Sequence, residues 1–138
     1  MQAQSKIGTI AVLERRAWWT PELQRQFASE RVEVRSGRSF RDVPGLVSSG
    51  ARVLIVDLEL SPAECLQWLG RRPGAAAQAA VVVIGTERTA ELEWPVRELG
   101  ATGFVLETIP GHELAHFCRK LLRLHSNTTT TIKSKVDE

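Results

Sequence analysis

Apolar runs alternate along this chain with stretches whose apolar positions recur at helical spacing. Residues 7–13 (IGTIAVL) read as a strand, and 52–58 (RVLIVDL) and 80–84 (AVVVI) are nearly continuous apolar runs. Such runs suit central strands of a parallel sheet, covered on both faces. Residues 31–35 (RVEVR) alternate with period two, which predicts a strand near an edge. Residues 103–106 (GFVL) form a short fifth strand.

Helices are expected between them. Thr20-Pro21-Glu22 offers an N-cap followed by Pro at the first helical position, with Leu23 and Phe27 on one face beyond it. Residues 39–48 make a weaker helix, interrupted by Pro44 and Gly45. Ser61-Pro62-Ala63-Glu64 has the form of a capping box with Pro at its first helical position. The helix it opens carries Cys65, Leu66, Trp68 and Leu69, and Gly70 stops it. Leu92, Val96 and Leu99 share a face of a fourth helix that ends at Gly100. Pro95 keeps that helix short, with a start near Glu91. The longest helix, 110–125, has Leu114, Phe117, Leu121 and Leu124 as its stripe. Residues 71–78 (RRPGAAAQ) read as a loop. Residues 126–138 (SNTTTTIKSKVDE) have almost nothing to bury and are expected to be a disordered tail or a linker after a domain of residues 1–125.

A strand followed by a helix, five times over, implies a parallel sheet with helices on both faces. In such sheets function gathers outside the carboxyl ends of the strands. The positions that matter are therefore Glu14, Asp57, Gly85 with Thr86, and Glu107.

Composition narrows the classes. The chain has 138 residues, 43% hydrophobic and 25% charged, which fits one ordinary globular domain. No apolar run reaches the ~18 residues of a membrane helix. The opening MQAQSKIGTI lacks a long apolar stretch, so no secretory signal is expected there. Eighteen Lys and Arg against sixteen Asp and Glu give a net charge of +2, too little for a strong field. Arg31, Arg35, Arg38 and Arg41 form a basic strip, but Glu30, Glu33 and Asp42 interrupt it, which disfavours nucleic acid as a partner. Cys65 and Cys118 lie in apolar helical patterns and read as buried thiols of a cytoplasmic protein. His112 and His116 are four apart, a metal-like spacing without a third ligand, and are expected to be exposed. Walker, dinucleotide and nucleophile-elbow signatures are absent.

Three pieces, LIVDLEL ending its strand at Asp57, VVVIGTER, and LGATGFVLETIP, resemble the receiver domain of two-component response regulators over residues 7–124. The resemblance implies a flavodoxin-like five-stranded doubly wound sheet in the order 2-1-3-4-5. It implies Asp57 as the phosphoryl acceptor, an acidic pair after the first strand holding Mg²⁺, a hydroxyl after the fourth strand and a Lys after the fifth. This chain departs from that set. Glu14 and Arg15 stand at the acidic pair, Gly85 at the hydroxyl with Thr86 one residue on, and Glu107 at the Lys. A phosphoryl group adds nearly two negative charges, and the counter-cations that would offset them are missing.

The resulting expectation is a pseudo-receiver: a non-catalytic module of a bacterial two-component-like pathway that works by binding protein. Asp57 is then inactive and paired with Arg15 or another cation, and no cofactor or metal is used. The expected partner is another protein or a second copy, docking on the fourth helix, fifth strand and fifth helix, with no nucleic acid or membrane. Trp94 points away from the Leu92/Val96/Leu99 face and is the candidate contact residue. Phe104 falls where the family carries an aromatic on the fifth strand; it is a second candidate for that surface, with a half-buried sheet residue as the simpler reading. Trp68 and one of Trp18 and Trp19 are expected in core or rim positions. Two alternatives stay open: a true receiver, phosphorylated at Asp57 by a histidine kinase with Mg²⁺, and a small ligand-binding or enzymatic domain using the strand-end crevice.

Overall fold

The computed structural model describes residues 8–72 and 74–137. Five parallel strands, β1 (Gly8–Leu13), β2 (Val32–Gly37), β3 (Ala51–Asp57), β4 (Ala80–Gly85) and β5 (Gly103–Leu106), form one sheet in the order β2-β1-β3-β4-β5. Helices α1 (Trp19–Gln26), α2 (Val43–Ser48), α3 (Pro62–Gly70), α4 (Glu93–Glu98) and α5 (Gly111–Asp137) follow the strands in turn. This is the doubly wound parallel sheet that the alternation of runs implies, in the strand order that the resemblance implies.

Successive side chains of a strand point to opposite faces. Ala11, Leu13, Leu54, Val56, Val81 and Val83 pack beneath α2, α3 and α4, against Val43, Cys65, Leu69 and Val96. Ile10, Val12, Val53, Ile55, Val82 and Ile84 pack beneath α1 and α5, against Leu23, Phe27, Leu114 and Cys118. Both faces are covered, which is why β1, β3 and β4 read as continuous apolar runs rather than alternating ones. The alternating β2 lies at an edge.

Several local expectations shift. Helix α1 begins at Trp19, so Thr20 lies within its first turn and is not the cap. The Ser39–Ser48 region opens with a 3-10 turn, Phe40–Asp42, capped by Ser39, before α2 begins. Ser61 caps α3 by accepting the Glu64 N–H at 3.3 Å, which is one half of the expected capping box. Residues Gly74–Gln78 of the expected loop form a 3-10 turn. Helix α4 starts at Glu93 after a 3-10 turn over Glu87–Leu92, which leaves Pro95 in the first turn, where its missing N–H costs nothing. The last helix does not stop at residue 125. It runs to Asp137, across the segment read as a tail, and no Gly or Pro follows Gly111 to end it.

Cys65 and Cys118 are buried and free, on opposite faces of the sheet. Trp19 is buried, Trp68 packs at the rim with its ring 5.2 Å from that of Phe40, and Trp18 is exposed. Two of the arginines in the basic strip's surroundings are neutralised: Arg35 pairs with Glu33, and Arg119 pairs with Glu30 at 2.7 Å. No helix among the described residues is long and apolar enough to cross a membrane.

Candidate functional site

The carboxyl ends of the strands open into a crevice of about 420 Å³. Glu14 and Arg15 reach it from the end of β1, Asp57 and Glu59 from β3, Thr86 from β4 and Glu107 from β5. The sheet therefore brings together the strand-end residues singled out from the sequence, except Gly85, whose backbone lies just behind Thr86.

Glu14 is 4% exposed, and its carboxylate is fully used. One oxygen accepts the Trp19 N–H at 3.0 Å. The other accepts the N–H groups of Trp18 at 3.2 Å and Thr20 at 2.9 Å, and the Thr20 hydroxyl at 2.8 Å. A helix leaves its first N–H groups without partners, and Glu14 supplies them from outside the helix. Negative charge also suits that end of the helix dipole.

Arg15 does not pair with Asp57. Its guanidinium donates to the Leu60 carbonyl at 3.1 Å, in the turn after β3. Among the described residues no cation forms a salt bridge with Asp57, so the expected replacement of metal by arginine is corrected. Asp57 instead accepts the Glu59 N–H at 3.0 Å. Burial pushes its carboxyl above the usual carboxylate value, and the negative charges of Glu14, Glu59 and Glu107 push the same way, against the lowering effect of the Glu59 N–H.

Thr86 caps the 3-10 turn that precedes α4. Its hydroxyl accepts the Arg88 N–H and donates to Glu59 at 3.1 Å. Gly85 has no room for a side chain. A Cβ there would collide with the end of the Phe104 ring and lie 2.9 Å from the Thr89 hydroxyl. The hydroxyl that the resemblance asks for at this position is excluded by an aromatic ring.

Phe104 is correspondingly buried, in the cluster under α4. It is neither half-buried nor part of an exposed surface, which corrects its place among the contact residues. Trp94 is 70% exposed on α4, while Val96 is fully buried and Leu92 packs partly against the core. Leu99, expected on the buried face, is partly exposed. Two residues escaped the sequence reading. Trp18 is 68% exposed at the crevice mouth. Glu59 was visible only as the second acid of LIVDLEL.

The crevice is acidic, with Asp57, Glu59 and Glu107 beside Glu14. Glu14 is committed to α1, and among the described residues no group of three His, Cys, Asp or Glu side chains is placed to hold a metal. His112 and His116 are exposed.

Strand order, layers and crevice define a flavodoxin-like doubly wound domain. Within that class, the chain has the fold of response-regulator receiver domains. It is similar to a response regulator from Thermotoga maritima, with a TM-score of 0.72 at 14% identity over 84% of this chain and 98% of that one. It is similar to the signal receiver domain of a putative Luxo repressor protein from Vibrio parahaemolyticus, with a TM-score of 0.73 at 15% identity over 90% and 96% of the two chains. The receiver domain of the TMAO respiratory system response regulator TorR gives 0.68 at 17% identity over 83% and 96%. No family model and no curated protein matches the sequence.

Proposed function

We propose that the chain is a pseudo-receiver, a non-catalytic signalling module that acts by binding another protein. The observation that carries this reading is Glu14. The one acid left after β1 is consumed as the cap of α1, so it is not free to help hold Mg²⁺. Around it, Asp57 faces Glu59 and Glu107 with no salt bridge of its own among the described residues, and two more negative charges would add to that repulsion. The contact surface is α4, β5 and α5, with Trp94 as its exposed aromatic anchor on a short, Pro-stiffened helix.

Incubation with acetyl phosphate, or with beryllofluoride and Mg²⁺, tests the reading by intact mass and by change in the spectrum. The expected outcome is no adduct. A gain of one phosphoryl mass that Asp57→Asn abolishes would establish the alternative, a true receiver.

A further inference from the structure

A chain of hydrogen bonds runs out of the crevice from Asp57 to Thr89. The Glu59 N–H donates to Asp57. The Thr86 hydroxyl donates to the Glu59 carboxylate at 3.1 Å, joining segments 27 residues apart. Thr89 binds Thr86 twice with its hydroxyl, accepting the Thr86 N–H at 2.8 Å and donating to the Thr86 carbonyl at 3.3 Å. That same buried hydroxyl flanks the space at Gly85 that the Phe104 ring fills. Thr86 opens the 3-10 turn Glu87–Leu92, which leads directly into α4 and Trp94.

We infer that Glu59 is an internal latch: by taking the Thr86 hydroxyl, it holds the turn before α4 against the end of β3 and fixes α4 and Phe104 in one arrangement without any added group. That the latched face is a contact surface rests on the function proposed above; the latch itself rests on the hydrogen bonds. A carboxylate acceptor makes the Thr86 bond charge-assisted, and so stronger than its neutral counterpart. Arg88 contributes little, since it lies 3.7 Å from Glu59 and is 84% exposed. The bond holds Glu59 against a standing force, because the charge of Asp57 repels it.

That force gives the test a sign. In the full chain, Glu59→Ala removes both the latch and a like charge beside Asp57. Loss of the latch speeds amide exchange at residues 87–96, by on the order of tenfold for one charge-assisted bond. Loss of the charge alone favours the folded state and predicts unchanged or slower exchange there. Thr86→Ser keeps the hydroxyl and is expected to match the parent chain. Thr86→Val combined with Glu59→Ala is expected to cost less than the sum of the two. Unchanged or slower exchange in Glu59→Ala overturns the latch, and so does full additivity of the pair. The measurement uses no phosphodonor and no partner. It therefore stands or falls apart from the mass test at Asp57 and from any binding test at Trp94.

Discussion

Glu14 binds Thr20 twice, accepting its N–H at 2.9 Å and its hydroxyl at 2.8 Å through the same carboxylate oxygen. The acid at the end of β1 is thereby turned into a structural part of α1. Glu14→Ala leaves buried donors without a partner and is expected to destabilise the fold by about 2–3 kcal/mol. A lower urea midpoint at constant slope is the check. Glu14→Gln keeps one acceptor oxygen and is expected to cost less. It also removes one of the charges that raise Asp57, so the Asp57 titration followed by NMR should move back towards the ordinary carboxylate range.

Asp57 couples the crevice to pH. Its folded value lies above its unfolded one, so its contribution to stability is fully present below the unfolded value and is lost as pH rises through the folded one. At neutral pH the charged group therefore counts against folding. Asp57→Asn keeps an acceptor for the Glu59 N–H and is expected to raise stability at pH 7. The gain shrinks as pH falls towards the ordinary carboxylate value. Thermal unfolding of both proteins across that range gives the comparison, and a variant less stable at pH 7 would contradict it.

Restoring the hydroxyl at Gly85 should fail for a steric reason. Gly85→Ser drives a side chain into Phe104 and Thr89 and is expected to cost about 1–3 kcal/mol, as overpacking does. Phe104→Ala vacates the space. The double variant should then be more stable than the sum of the single losses allows. Strict additivity in denaturant titrations would mean that the ring yields freely.

Trp94→Ala is expected to weaken association, with a partner or a second copy, by about 2 kcal/mol, the loss of one exposed anchor. The melting temperature should hardly change, because the side chain is 70% exposed. A sharp fall in melting temperature with association intact would place Trp94 in the fold rather than the interface.

The strands were legible because burial on both faces leaves its mark residue by residue. Val53, Leu54, Ile55 and Val56 are each fully buried, two on each layer, and appear as an unbroken apolar run. The start of α1 was not legible, since its cap comes from Glu14, outside the local Thr20-Pro21-Glu22 pattern. The membership of the crevice could be read from strand ends, whose positions follow from topology. The partners within it could not. Arg15 and Asp57 occupy neighbouring strand ends, yet the arginine reaches a backbone carbonyl instead. The Gly85–Phe104 contact likewise depends on the spacing of β4 and β5, which no single segment records.

The sheet also separates the two thiols. Cys65 lies in the layer under α2, α3 and α4, and Cys118 in the layer under α1 and α5. Burial pushes each thiol up to about 12, which keeps it protonated and unreactive while its layer is closed. Each layer of this domain thus contains its own chemical clock: an alkylating reagent reports the opening of the α2–α4 layer at Cys65 and of the α1/α5 layer at Cys118, in a molecule with no introduced thiol.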